Sequence, residues 1–319
     1  MSHWDRPQSP DAPHEQRQVL LAPAPPWQTP HMPGVHIVTD SACDLTDQLV
    51  KEHNVTVVPL KIRFGETELE DRRQLNPTEF WERCRGKGAL PETSAPSPGA
   101  FQAAYQQAVD DGADAVLCLT ISSRVSGTYD SARTAAEGFD AKPVEVVDTY
   151  SLTMGQGLLV IAAAEDAATG AGLETIVAAT KDRIGRTRLY GVLGGLEHLQ
   201  RGGRIGGARA LLGSLLNIKP VIQLKDGEVA EESKQRTRAR ALSYLVDKVK
   251  ADAPLERIGI AEGACDDFAD VMARVQDIAT EHPLVAVELG PVVGTHAGPN
   301  TVGICYIVPA TTRADAPAG

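Results

Sequence analysis

Aromatic residues are scarce in this chain, at 4% of 319 positions. So few rings cannot build the stacking platform of a single-stranded nucleic-acid binder. The five cysteines, Cys43, Cys84, Cys118, Cys265 and Cys305, are odd in number, scattered, and form no CxxC pair. Neither a disulfide framework nor a structural zinc site is indicated, and this usage fits a reducing cytoplasm. No apolar run reaches the roughly 18 residues that cross a bilayer, so stable membrane insertion is not expected. Walker A, HExxH and GxSxG sequences are all missing. The histidines form no i, i+4 ligand pair, so no metal is expected. Positive charge is also in short supply: Lys+Arg 31 against Asp+Glu 42 leaves a formal charge of −11. That balance argues against broad binding of nucleic acid.

What is present is ordinary globular composition, 42% hydrophobic and 23% charged, over a length that suits about two domains. Residues 1–33 stand apart. Eight prolines there remove backbone donors and hold the chain out of helix and ladder, so a disordered tail is expected, with folding from near Val35.

From that point strands and helices alternate. Val35–Thr39 is β-rich, and a helix ending near His53 follows the turn Asp40–Asp44. Val55–Ile62 reads as the next strand, extending towards Gly65. Asn76-Pro77-Thr78-Glu79 opens a helix through Trp81, as does Ser97-Pro98 up to Gly112. Ala115–Ile121 is a continuous apolar run of the kind buried on both faces of a parallel sheet. A polar loop, a helix to Gly138 and a strand at Val144–Val147 complete a βαβ pattern.

The second half mixes hairpins with helices. Leu189–Leu193 is a strand. Ile218–Leu224 and Glu228–Glu232 flank Asp226-Gly227 as a type I′ hairpin. A helix carrying Arg236, Arg238 and Arg240 follows, then strands at Arg257–Ala261, Leu284–Leu289 and Val302–Val308, with a helix over Asp266–Thr280. The expected fold is therefore α/β: an open, mostly parallel sheet with flanking helices over residues 34–170, and a second α/β domain with a mixed sheet over 171–311. The boundary is expected within Gly155–Arg188, and residues 312–319 form a tail.

Gly155-Gln156-Gly157 lacks the third glycine of a dinucleotide loop, because Val160 stands in its place. Three hydroxyl-rich segments remain: Thr93–Ser97, Ser122–Thr128 and Thr295–Pro299. Beyond the carboxyl ends of strands, hydroxyls and free helix N–H groups suit an anion. The same residues also serve as N-caps and turn formers. Gly202-Gly203-Arg204 sits in a basic island with Arg201, Arg209, Lys234, Arg236, Arg238 and Arg240. The island could hold phosphate or dock an acidic partner, or be a solvated face beside a glycine turn.

Five of these segments, in order, resemble the DegV family. They are Thr39-Asp40-Ser41 with Asp44-Leu45, Thr93–Ser97, Ile121–Tyr129, Leu196–Ile205 and His296–Gly303. Together they cover about residues 35–308. The resemblance implies a two-domain α/β protein that holds one long-chain fatty acid in a tunnel between its domains. It implies no cofactor and no catalytic turnover of its own. The carboxylate would be held by Thr93 or Ser94, by Ser126 and Gly127, and by His296. The family further implies presentation of that carboxylate to a separate ATP-dependent fatty acid kinase subunit, which forms an acyl phosphate, with Gly202, Gly203 and Arg204 helping to dock it. Leu211, Leu212, Leu215, Leu216 and Ile218 suit tunnel lining and ordinary core equally. Ala95 and Gly206 depart from the family pattern, where Gln and Ser are usual. An autonomous acyl- or phospho-transfer enzyme using Ser126 or His296 as nucleophile is the alternative.

Overall fold

The computed structural model describes residues 34–85, 90–211 and 218–310. The proline-rich segment 1–33 and the tail 312–319 lie outside them, as do the side chains of Leu211, Leu212, Leu215 and Leu216.

β1 (Val35–Asp40) and β6 (Ala115–Thr120) are the central strands of a four-stranded parallel sheet, completed by β2 (Val55–Val58) and β7 (Val144–Asp148) in the order β2-β1-β6-β7. Every residue of β6 is buried. Its two faces separate with period two. Val116 and Cys118 pack with Phe101, Tyr105, Ala132 and Ala135 of α3 (Pro98–Asp110) and α4 (Thr128–Glu137). Leu117 and Leu119 pack with Leu158 and Leu159 of α5 (Thr153–Ala168).

The expected strand Val55–Ile62 is two strands. Pro59 removes a ladder N–H and restricts Val58, so β2 ends there. β3 (Lys61–Phe64) joins β4 (Thr67–Glu70) and β5 (Glu92–Ser94) in a small antiparallel sheet of order β4-β3-β5. α1 (Asp47–Glu52) and α2 (Pro77–Cys84) flank this region, each opened by a side-chain cap, Thr46 and Asn76.

The second sheet is mixed. β8 (Thr187–Val192), β9 (Lys219–Lys225), β10 (Glu228–Gln235), β11 (Arg257–Gly263), β12 (Val285–Glu288) and β13 (Thr301–Ile307) take the order β10-β9-β8-β13-β11-β12. Only β11 and β12 run parallel among these pairs. Positive φ at both Asp226 and Gly227 makes the type I′ turn of the β9–β10 hairpin. α8 (Arg238–Ala251) starts after Arg236 and covers one face with α9 (Phe268–Val275), which is shorter than the expected Asp266–Thr280.

α5 and α6 (Leu173–Arg186) span the expected boundary. α5 is almost wholly buried, and Gly155 and Gly157 are packing positions within it. One core holds Ile37 and Leu117 of the parallel sheet together with Ala261, Cys305 and Ile307 of the mixed sheet. Two short helices remain, α7 (Glu197–Arg201) and α10 (Pro291–Ala297). The latter takes in Thr295, His296 and Ala297 of the hydroxyl-rich segment Thr295–Pro299, with Pro291 in its first turn and Gly298 after its last residue.

Candidate functional site

An apolar cavity lies where the two sheets and α10 meet. The free space inside it, open solvent at the mouth included, is about 830 Å³. Leu60, Ile121 and Leu152 line it from the first half of the chain; Leu189, Leu193, Ile222 and Leu224 from the second; Val292 and Val293 from α10. Ile218 packs instead with Ile205, Ile222 and Val229, outside this lining.

Polar groups gather at one end. Thr93 on β5 and His296 in the last turn of α10 are 203 positions apart in sequence, yet Thr93 Oγ1 and His296 Nε2 are 2.9 Å apart. Strand alternation explains why Thr93 and Ala95 face the cavity while Ser94 is exposed and points away from it. Ser126 and Gly127 line the cavity beside the start of α4. Ser126 Oγ is 2.8 Å from Thr128 Oγ1 and accepts from the Thr128 N–H at 3.3 Å. The two nucleophile candidates thus have separate partners: Ser126 bonds Thr128, and His296 bonds Thr93.

Burial, with the cationic charge of Arg204 and then of His198, holds the His296 imidazole down to about pKa 4. It is neutral at pH 7. Its Nδ1 has no hydrogen-bond partner among the described residues. If Nε2–H donates to Thr93, the Thr93 hydroxyl hydrogen is free to donate onward to an anion. Arg204 closes the same end. Its Nε donates to Val125 O at 3.1 Å and its Nη1 to Gly202 O at 2.6 Å. Both acceptors are neutral carbonyls, and among the described residues no carboxylate forms an ion pair with Arg204. Arg204 is therefore half-buried in the cavity wall, whereas Arg201 and Gly203 are exposed.

Outside this polar end is a second, polar vestibule. It shares Thr93, Arg204 and His296 with the apolar cavity and adds His198, Arg201, Gly202 and Thr295. The rest of the basic island is more dispersed: Lys234 pairs with Glu231 and Arg238 with Asp267.

α10 is set in place from the opposite side. The Trp81 indole donates to Leu289 O at 3.1 Å, and the Gly290 N–H donates to Asp44 Oδ1 at 3.2 Å. Asp44 belongs to a buried acid cluster with Asp40 and Asp71. Burial raises Asp40 to about 6 and both Asp44 and Asp71 to about 7, and the charge of Asp71 adds to the rise at Asp44. Asp40 is held by the N–H groups of Ala42 and Ile121. Among the described residues no cluster of three or more His, Cys, Asp or Glu side chains could hold a metal, and no helix is long and apolar enough to cross a membrane.

Reasoning from sequence missed Val292, Val293 and His198. The first two were hidden because a seven-residue helix rich in Val, Thr and Gly has little intrinsic helical signal, and His198 because a lone histidine carries no spacing signal.

Comparison with known proteins places this geometry in context. The model of the DegV family, described as an uncharacterised protein family, matches residues 34–308. A DegV domain-containing protein of Deinococcus radiodurans is 38% identical over 276 residues, 85% of this chain and 97% of that one. One from Streptomyces coelicolor is 35% identical over 279 residues, with 85% and 97% covered. Among solved structures, a DegV family protein of Thermus thermophilus described by its fatty acid binding superimposes with a TM-score of 0.79 at 34% identity, covering 86% of this chain and all of that one. DegV of Bacillus subtilis, described as a fatty acid binding protein, gives 0.78 at 28%, covering 87% and 100%.

Proposed function

The chain belongs to the DegV family, and from that premise we propose that it binds one long-chain fatty acid, with the acyl chain in the apolar cavity and the carboxylate at Thr93, His296, Arg204 and Ser126. The observation that carries this reading is the joining of two opposite environments: an aliphatic cavity that ends on a hydroxyl, a neutral imidazole and an unneutralised guanidinium. Each methylene moved from water into such a cavity contributes about 0.8 kcal/mol. A carboxylate carried in with it costs several kcal/mol unless donors meet it, and Thr93, Arg204 and His296 gather donors where the cavity meets the vestibule. The fatty-acid-binding relatives from Thermus and Bacillus support the ligand class.

The polar vestibule leaves the carboxylate end approachable from outside. On this reading the protein is a carrier, and a separate ATP-dependent kinase subunit reaches the carboxylate through the vestibule to form an acyl phosphate. The exposed Arg201 and Gly203 supply the docking rim, and Arg204 serves both the rim and the ligand. The separate partners of Ser126 and His296 favour a carrier over an autonomous acyl- or phospho-transfer enzyme with Ser126 as nucleophile, which needs a base against that hydroxyl. Free cysteines at all five positions suit work in the cytoplasm.

Mass spectrometry of an organic extract of freshly purified protein tests this reading. A long-chain fatty acid at about one per chain is expected, with a negative heat-capacity change when stripped protein takes up oleate. Protein that is empty and takes up neither oleate nor palmitate would refute it.

A further inference from the structure

We infer that His198 is a positioning residue of the carboxylate site, pinning the C-terminus of α10 so that the His296 imidazole stays against Thr93. The inference rests on the proposed carboxylate role of Thr93 and His296 and deepens it.

α10 has seven residues, so the carbonyls of its last turn lack partners within the helix. The Thr295 carbonyl is one of these, and it lies 3.2 Å from His198 Nδ1. A carbonyl oxygen has no hydrogen to give, so Nδ1 carries the proton and donates. The Thr295 carbonyl belongs to the peptide that joins Thr295 to His296. Holding it therefore holds the backbone plane from which the His296 side chain springs.

The packing is reciprocal. Gly298, at φ +76°, follows α10, and a Cβ there would stand 2.6 Å from Cδ2 of His198. Gly202 follows α7, and a Cβ there would stand 2.1 Å from Nδ1 of His296. Each short helix thus ends in a glycine whose bare backbone admits the histidine of the other. Gly202 donates its N–H to His198 O at 2.9 Å and its carbonyl accepts from Arg204, so the α7 side of the lock is also fixed. His198 lines the polar vestibule but not the apolar cavity. It therefore acts on the ligand site through His296 and Thr295.

Two variants separate the parts of this device. His198→Phe keeps a ring over Gly298 but has no donor for Thr295 O. His198→Asn keeps a nitrogen donor on Cγ, where Nδ1 stands, and loses the ring. Imidazole NMR of ligand-free, histidine-labelled protein, titrated from pH 3.5 to 8, reads His296 directly. In wild type its midpoint is expected near 4, and in His198→Asn, which keeps the donor but loses the charge of His198, less than half a pH unit higher. In His198→Phe it moves up by at least one pH unit, towards the ordinary histidine value. The dissociation constant for oleate is expected to rise about tenfold in His198→Phe and to stay within twofold of wild type in His198→Asn. Unchanged His296 signals in His198→Phe, or equal damage in both variants, would overturn the inference. A lowered melting temperature alone, with His296 unmoved, would mean a merely structural role and would also overturn it. Wild-type protein that takes up no oleate would defeat the binding reading instead, while the His296 signals still decide the positioning role.

Discussion

Two polar centres lie on either side of α10, one buried and one half-buried, and they are built in opposite ways. Asp40, Asp44 and Asp71 bring carboxylates together in a closed region, where the N–H groups of Ala42 and Ile121 hold Asp40 and that of Gly290 holds Asp44. Thr93, His296 and Arg204 bring donors and an unneutralised cation to the end of a cavity. In the first, burial is relieved by keeping protons on the acids. In the second, it is relieved by a partner of opposite kind. A closed centre rich in acceptors has no room for a ligand charge; one rich in donors, opening on empty space, suits an anion.

The sharpest way to break this contrast is at Gly202. Gly202→Ala places a Cβ against His296 Nδ1 and should abolish measurable oleate binding while the acid cluster and its pH response stay intact. Next come the donors. His296→Ala or Thr93→Val removes a hydrogen bond to a charged group, worth about 1.5–3 kcal/mol, so oleate should bind roughly 10- to 100-fold more weakly by titration calorimetry.

The acid cluster should answer to pH instead. Asp44 and Asp71 have folded pKa values raised to about 7, above the ordinary value of about 3.9. Their contribution to stability is fully present below that ordinary value and is lost as pH rises through 7. His296 acts in the opposite sense, but only as pH falls from about 6.5 towards 4. Above pH 6.5 the two carboxylates outweigh His296, so wild-type protein should melt a few degrees lower at pH 8 than at pH 6.5. Asp44→Asn, which keeps an acceptor for the Gly290 N–H, should shrink that difference in a thermal scan. The smallest effect belongs to Ser94→Ala. Ser94 is exposed on the far side of β5 from Thr93, so oleate affinity should change less than twofold.

Much of this contrast was legible in the sequence, though in pieces. The buried run at β6 and the Asp226-Gly227 turn announced a parallel sheet and a hairpin through local chemistry. The segments carrying Thr93, Ser126 and His296 stood out for their hydroxyls and for their resemblance to a family. Local chemistry alone could not separate a binding hydroxyl from a cap. Ser97 does cap α3, accepting from Ala100 N, while Thr93, four positions earlier, faces the ligand cavity. Only the pairing of β5 with β3, Thr93 opposite Ile62, decides which hydroxyl points inward. Likewise Arg204 reads as surface charge in a glycine loop, and the fold turns its guanidinium into the cavity wall. The small sheet β4-β3-β5 and the helix α10 were illegible because Pro59 splits one apolar run and because a seven-residue helix rich in Val, Thr and Gly has little intrinsic helical signal.

The most direct test of the donor-rich centre compares palmitate with its methyl ester on the same protein, since the two share a chain and differ in the charged end. Wild type should bind the acid at least tenfold more tightly than the ester, and His296→Ala should erase most of that preference. Equal affinity for acid and ester in the wild type would contradict the assignment of Thr93, His296 and Arg204 as the carboxylate holder.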